Sequence, residues 1–291
     1  RPRRILNEIK SDETLFPFSR QPLVIHPIII DKGQAAIDYI LIQTAYRYMY
    51  EIATLETETV NSAALKIATN KHKFSFSENQ CQQAMSIIVD EAYHAYVALD
   101  FIQQVKQKTS IEPVFLPKDN AVQRVLNKQK DISPNEEHYN LLELVTVCLS
   151  EHVLTKDLVY IKKESNTCAF FNEIMQDHLV DEIRHAHYFE QILKFVWNKI
   201  DKKTKEAVAE YLPILINDYI NIVPQKQYEE VLLRKIGLNK GEIEEIIYDT
   251  HIEKDKNSDL NVINFISVLK KTDILDHNYV NKMFSLNGFI V

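Results

Sequence analysis

Apolar residues recur every three or four positions along four long stretches of the chain, which is the spacing of one buried face on an α-helix. The predicted helices span about residues 34–70, 77–108, 134–163 and 168–200. Each has about 30 residues or more, well above the usual length of about 11–12. No a/d heptad is sustained, so the pattern predicts a large helical bundle rather than a coiled coil.

Helix-start patterns and the connections between helices predict the topology. Ser75 and Glu78 have the spacing of a capping box before the second helix, and Ser133 followed by Pro134 marks the start of the third. Asn166 or Thr167 is the expected cap of the fourth. Between the second and third helices lies a polar connection with room for a short helix, whereas the other two connections are short. Two hairpins joined by a crossover are the ferritin-like topology.

The two ends of the chain are predicted to lie outside the bundle. Residues 1–33 hold four of the nine prolines and show no helical period, so we expect an irregular arm. Shorter helices are predicted at about 202–220, 226–236, 240–250 and 260–284. We therefore expect one domain over residues 1–291, made of the arm (1–33), an all-α four-helix bundle (34–200) and accessory C-terminal helices (201–291).

Composition excludes several classes of protein. Four glycines in 291 residues are too few for a turn-rich β-sandwich or for glycine loops that cradle phosphates. The net charge of -7 argues against a nucleic-acid partner. No apolar run reaches membrane-spanning length, and no signal-peptide pattern is present. Three cysteines without a CxxC pair suit a reducing compartment, so we expect a cytoplasmic protein.

Two Glu-x-x-His motifs carry the candidate chemistry. Glu91 and His94 lie on the second long helix, and Glu182 and His185 lie on the fourth. Residues three apart on a helix share one face, so each pair can bind one metal ion. One such pair is weak support, but two on separate long helices are much stronger. Bundles with a two-metal carboxylate site require a further glutamate from each of the other two helices.

The first long helix offers three glutamates for this role. Taking 100° per residue, Glu56 is in phase with Tyr48 and Ile52 on the apolar face. Glu58 points about 200° away from Glu56, and Glu51 points about 140° away. Glu56 is therefore the predicted ligand.

The third long helix offers Glu143, Glu151 and Glu164. Glu151 lies in an apolar stripe between Val147 and Leu154. A lone carboxylate in such a stripe is costly unless it is paired or bound to a metal. Glu151 is therefore the second predicted ligand.

A third histidine shares the face of the fourth helix. His178 lies four residues before Glu182 and seven before His185, which favours a metal ligand over a structural buried histidine. Asp90 and Asp181 are each expected to orient the histidine on the opposite helix, because ligating histidines usually donate their other N–H to a carboxylate. Ordinary solvated aspartates are the alternative interpretation.

The predicted metal ligands are Glu56, Glu91, His94, Glu151, His178, Glu182 and His185. No catalytic residue is predicted beyond them. Tyr48, Ile52, Val147 and Thr155 are predicted to line a substrate pocket, with core packing as the alternative for Tyr48.

With these ligands in place, the sequence resembles the di-iron arylamine N-oxygenases. This ferritin-like family is typified by the p-aminobenzoate N-oxygenase of the aureothin pathway and its relative in the chloramphenicol pathway. The intervals of 35, 60 and 27 residues from Glu56 to Glu91, Glu151 and His178 in turn agree with the family. The third histidine is the most specific element, because ferritins, ribonucleotide reductase small subunits and stearoyl-type desaturases usually have two. The resemblance covers about residues 34–200.

The resemblance implies an oxygenase with two iron ions and O₂ as co-substrate. O₂ would bind as a peroxo unit and oxygenate the nitrogen of a small-molecule amine, giving hydroxylamine, nitroso and nitro products. A homodimer is implied by the family. The chain has no glycine fingerprint for a flavin or nicotinamide domain, so electrons must come from an external donor or reductase. Manganese also suits carboxylate and imidazole ligands.

Two other hypotheses remain at this point. A di-iron oxygenase could act on another substrate class, by C-hydroxylation or on a non-aryl amine, because the metal ligands do not define the substrate pocket. An iron-storage or metal-binding protein without turnover is also compatible with the ligands. The long arm and the extra helices argue against storage.

Overall fold

The N-terminal arm is more regular than its prolines predict. The computed structural model describes residues 3–7, 9–10, 12–114, 119–161, 166–251 and 255–291. Two 3₁₀ turns, Phe18–Arg20 and Pro22–Ile25, lead into helix α1, Pro27–Lys32. The His26 side chain caps α1 by accepting a hydrogen bond from the backbone N–H of Ile28. Proline suits the first helical position because the backbone N–H that it lacks would have no partner there, and its fixed φ is already helical.

The first long helix is interrupted near its middle. Helix α2, Gln34–Thr54, continues into a π-helical turn, Leu55–Val60, and then into α3, Asn61–Ala68. The prediction of one uninterrupted helix over 34–70 missed this turn. Each π-helical turn inserts an extra residue and rotates the side chains that follow, and such turns are frequent at functional sites. Glu56 lies inside the turn.

The second and fourth long helices have the predicted extent but different caps. Helix α4, Glu78–Thr109, begins with a capping box made by Ser77 and Gln80, not by Ser75 and Glu78. Ser77 and Gln80 form the box because they occupy the N-cap and N3 positions of this helix.

The third long helix starts later than predicted. Ser133 ends helix α5, Ala121–Ile132, which is the short helix of the crossover. Helix α6, Glu136–Ile161, begins after Asn135, whose side chain accepts from the backbone N–H of His138. The predicted end near residue 163 lies outside the described residues.

Helix α7, Ala169–Lys199, has Cys168 at the N-cap without a side-chain cap. The predicted caps Asn166 and Thr167 precede it. Thr167 instead forms an isolated bridge with Thr14, which ties the arm to the start of α7.

Within the described residues 201–251 and 255–291, five helices follow the bundle: α8 (Lys202–Tyr219), α9 (Val223–Lys235), α10 (Lys240–Thr250), α11 (Leu260–Lys271) and α12 (Asn278–Leu286). The single helix predicted over 260–284 is wrong. Asp273 has φ of 62°, and the N–H of Ile274 turns back to the carbonyl of Leu269, so the chain ends one helix before the next begins. No glycine or proline marks this break in the sequence.

The four long helices form two antiparallel hairpins, α2–α3 with α4 and α6 with α7, joined by the crossover that contains α5. This confirms the all-α, ferritin-like four-helix bundle. Two hydrophobic clusters form the core. Glu56, Glu91, His94, Glu182 and His185 lie where their helices pass from one cluster to the other, so apolar residues flank them on both sides. No helix in the described ranges is both long and apolar enough to cross a membrane. The division into arm, bundle and accessory helices stays a prediction.

Candidate metal centre

The seven side chains predicted as metal ligands converge in one layer at the centre of the bundle. Their donor atoms form two groups, Glu56–His94–His178–Glu182 and Glu91–Glu151–Glu182–His185, and within each group the atoms lie within 4.8 Å of one another. Glu182 belongs to both groups. All seven are buried, and the four glutamates and His185 have no exposed surface. The arrangement could hold two metal ions that share Glu182.

Helix geometry accounts for this convergence. The i, i+3 and i, i+4 spacings on α4 and α7 place histidines and glutamates on one face of each helix. The π-helical turn carries Glu56 to the same layer, and α6 contributes Glu151. The rings of His94 and His178 have centroids only 4.1 Å apart. Residues from four helices thus meet at one level.

Many polar atoms in this layer have no hydrogen-bond partner on the protein. Both carboxylate oxygens of Glu56, Glu91 and Glu151 lack one, as do Nδ1 of His94 and Nε2 of His178. His178 Nε2 approaches Glu56 Oε1 at 2.9 Å without hydrogen-bond alignment, as two ligands of one ion would. An unpaired buried polar atom costs about 1–3 kcal/mol. Four carboxylates balance the charge of two divalent cations, so the residues present fit a two-metal site.

The other glutamates weighed on the first and third long helices do have protein partners. Lys66 pairs with Glu143 at 2.5 Å, Gln123 with Glu58 at 2.6 Å, and Arg47 with Glu51 at 2.8 Å. Glu164 lies outside the described residues. A fully buried carboxylate without such a partner therefore distinguishes Glu56 and Glu151 from their neighbours.

Each of the two aspartates before the motifs lies beside a histidine of the opposite helix. Asp181 Oδ2 is 2.9 Å from His94 Nε2 and hydrogen-bonds to it. Asp90 Oδ2 is 3.4 Å from His185 Nε2 and also contacts the guanidinium of Arg184. A carboxylate on one ring nitrogen makes the other nitrogen available to a metal. The Asp181 contact is the shorter and more deeply buried of the two.

Burial and mutual repulsion shift the titration of the metal-free layer. Burial raises the pKa of Glu56 to about 7 and raises the pKa of Glu151 well above its usual range. Burial alone lowers the pKa of a histidine, but the neighbouring carboxylates outweigh it and raise the pKa of His178 to about 10 and that of His185 to about 11. The metal-free site therefore holds protons that a cation has to displace.

Two cavities lie near the metal layer: one is lined by sequence neighbours of the proposed ligands, and the other is lined by two of the ligands themselves. The larger one, of about 410 Å³, is lined by Tyr48, Ile52, Leu55 and Leu154 on the side of the bundle and by Arg47 and Glu51 farther out. We call it the α2–α6 cavity. Leu55 directly precedes Glu56, and Leu154 follows Glu151 by three residues.

The second cavity is a narrow passage whose inner end is formed by His94 and His178. We call it the histidine passage. Its walls come mainly from apolar residues of α2, α4 and α7.

Of the four predicted pocket residues, Tyr48 and Ile52 line the α2–α6 cavity. Val147 is instead fully buried in the core, and the Thr155 hydroxyl donates to the backbone carbonyls of Glu151 and Glu182. Neither of these two lines the cavities described above. The helical period placed both residues on the buried face of α6, and there they pack inside the protein instead of lining a pocket.

The fold and this layer define a ferritin-like protein with a candidate two-metal carboxylate centre. The family model described as p-aminobenzoate N-oxygenase AurF matches residues 7–232. The chain belongs to this family, and it is therefore an enzyme of the non-haem di-iron oxygenase class. The match includes the whole bundle and much of α9. A comparison with curated proteins gave no match.

Proposed function

We propose that this protein uses O₂ to oxygenate the nitrogen of a small-molecule amine, with an arylamine as the preferred substrate class. The products would be a hydroxylamine and, after further rounds, a nitroso or nitro compound. The observation that carries the proposal is the buried layer of four glutamates and three histidines within a chain of the AurF family. The third histidine supports this family's chemistry over that of bundles that use two.

The proposed ligands fall into two sets. Glu56, His94 and His178 would hold one iron ion, and Glu91, Glu151 and His185 would hold the other, with Glu182 shared. When bound in the ferrous state, the two ions would supply electrons for the activation of O₂. Manganese has no support beyond the ligand types, whereas the family match favours iron.

The chain's own contribution is to orient ligands and exclude water. Asp181 holds the His94 ring by a hydrogen bond, which fixes its tautomer and its direction. Apolar clusters above and below the layer keep the site dry, so charges inside it interact strongly. An arylamine nitrogen keeps its lone pair at neutral pH, so the chain need not supply a base to deprotonate it.

We propose the α2–α6 cavity as the amine site. Its volume of about 410 Å³ lies within the usual range of ligand pockets. Ile52, Leu55 and Leu154 form an apolar end next to two of the proposed ligands, which suits an aromatic ring. The outer end carries the ion pair of Arg47 and Glu51, which suits a polar substituent.

Reducing equivalents would come from an external donor or reductase, and a homodimer is a further part of the proposal. The experiment loads the protein with ferrous iron without oxygen, adds O₂, and follows a panel of aromatic and aliphatic amines by mass spectrometry. Hydroxylamine, nitroso or nitro products from arylamines are the expected result.

Oxygen uptake with every amine untouched would move the proposal to another substrate class. The absence of iron-dependent oxygen uptake would favour storage or another metal. The matched control is Glu143→Gln, which alters a buried glutamate of α6 outside the metal layer.

A further inference from the structure

The histidine passage is too small for an amine substrate. Its free volume is about 20 Å³, which is room for roughly one water-sized molecule. The α2–α6 cavity is about twenty times larger. Ile52 lines both cavities, and of the two only the histidine passage is lined by proposed ligands. An aromatic ring fits the larger cavity but not the passage.

The chemistry of the walls also selects for a small neutral molecule. Six apolar side chains line the passage: Met49, Ile52, Val97, Ala98, Ile174 and Met175. Besides the two histidines, its polar lining is Tyr93 and the ion pair of Asp177 with Arg4. Apolar walls offer nothing in exchange for the hydrogen bonds that water or an ion would lose on entry. A nonpolar diatomic gas loses almost none. The passage therefore suits dioxygen better than water or an anion.

The N-terminal arm crosses the mouth of the passage. Arg4 lines the passage and pairs with Asp177 at 2.8 Å and with Glu173 at 2.9 Å, both on α7. The carbonyl oxygen of Arg4 accepts from the Gln104 side chain on α4 at 2.9 Å. The arm thus joins the two helices above His178. Arg3, one residue earlier, pairs with Asp100 and does not line the passage.

We propose that the histidine passage is the entry route for dioxygen, separate from the amine cavity, and that Arg4 covers its mouth. The inference rests on the proposed use of O₂ by this site. It assigns a gas-binding site to Val97 and Met175 and a gating role to the arm. The positions of the seven proposed ligands alone assign neither role, because a small molecule could reach those ligands from any side of the bundle.

Xenon tests the site without any turnover. Crystals of the metal-free protein are pressurised with xenon, and we expect one atom between Val97 and Met175. Val97→Phe fills the passage from a half-buried position and should abolish this site. Val89→Phe, at an exposed valine of the same helix, should leave it unchanged. A wild-type passage without xenon would overturn the proposal.

Nitric oxide tests the route in the ferrous-loaded protein, because it is a diatomic of similar size. Stopped-flow mixing should show association at least about tenfold slower in Val97→Phe than in Val89→Phe, with unchanged amine affinity. Equal association rates would contradict the route. If Val97→Phe does not fold, Val97→Ala replaces it. That variant should raise xenon occupancy, and unchanged occupancy would count against the site.

The cover is tested by a matched pair of arginines. Arg4→Ala should speed nitric oxide association several-fold, whereas Arg3→Ala should leave the rate unchanged, since only Arg4 lines the passage. Equal rates in both variants would remove Arg4 from the gating role. These measurements need no amine, so a failure of amine oxygenation would leave their result valid.

Discussion

His94 Nε2 and Asp181 Oδ2 lie 2.9 Å apart and join α4 to α7 through a buried hydrogen bond. The opposite nitrogen of the same ring, Nδ1, then faces Glu56, Glu91 and Glu182 at 3.5–3.7 Å. The aspartate thus sets which nitrogen of His94 is offered to a metal. Asp181 directly precedes Glu182, so one turn of α7 carries both the residue that orients His94 and a proposed metal ligand.

Asp181→Asn should weaken metal binding by about 10–100-fold, because the amide cannot hold the ring with a charge-assisted hydrogen bond. Competition with a coloured chelator measures the affinity. Asp90→Asn is the matched comparison, since Asp90 lies 3.4 Å from His185 and is also engaged by Arg184. We expect a smaller loss there. Equal losses in both variants would show that burial of the contact does not matter.

Glu151→Gln and Glu143→Gln should separate metal binding from stability. The first should lower the iron content toward one ion per chain with little change in the fold. The second should keep two ions but lower the free energy of unfolding by about 1–2 kcal/mol, because Lys66 loses its charged partner and keeps only the amide oxygen of Asn140. Iron analysis and urea unfolding of the metal-free proteins give the two quantities. The assignment of Glu151 fails if its variant still holds two ions.

His178→Ala should keep the fold but reduce iron occupancy and change the optical spectrum after O₂ is added. The side chain is buried against Glu56 and Glu182, so its loss removes a neutral ligand from one ion. His187→Ala is the control on the same helix, because His187 is exposed and bonded to Gln191. An unchanged spectrum with unchanged turnover would remove His178 from the ligand set.

Metal uptake should release protons and strengthen as the pH rises. In the metal-free protein the pKa of His178 is raised to about 10 and that of His185 to about 11, so both rings are protonated at pH 8. Binding requires the neutral rings, so affinity falls as the pH is lowered. Calorimetry in buffers of different ionisation enthalpy should show release of about two or more protons per chain. Heats that do not depend on the buffer would contradict this.

The same pKa shifts set the sign of a stability effect in the metal-free protein. A histidine whose pKa is raised on folding stabilises the fold below its unfolded pKa of about 6.5 and loses that contribution as the pH rises through its folded pKa. For His178 and His185 the loss therefore falls between about pH 6.5 and 11. Thermal unfolding of His178→Ala against the wild type over this range measures it.

The sequence by itself determined the architecture and the identity of the converging side chains. Helical period is a local property, so the four long helices followed from spacing, and the two Glu-x-x-His motifs fixed which helix faces point inward. The choice of Glu56 over Glu51 and Glu58 followed from phase alone, and the structure gives each of the other two a protein partner. Cap positions shifted because neighbouring residues could serve equally well.

Only the tertiary structure decided the rest. The π-helical turn around Glu56 carries no glycine or proline, and the break at Asp273 carries none either, so no residue type in the sequence marks either feature. Tyr48 and Ile52 reached a cavity while Val147 and Thr155 were packed, although periodicity treats all four alike. The placement of Arg4 over the histidine passage joins residues more than 170 positions apart. These contacts form only when the arm packs against the bundle, and no local sequence pattern predicts that packing.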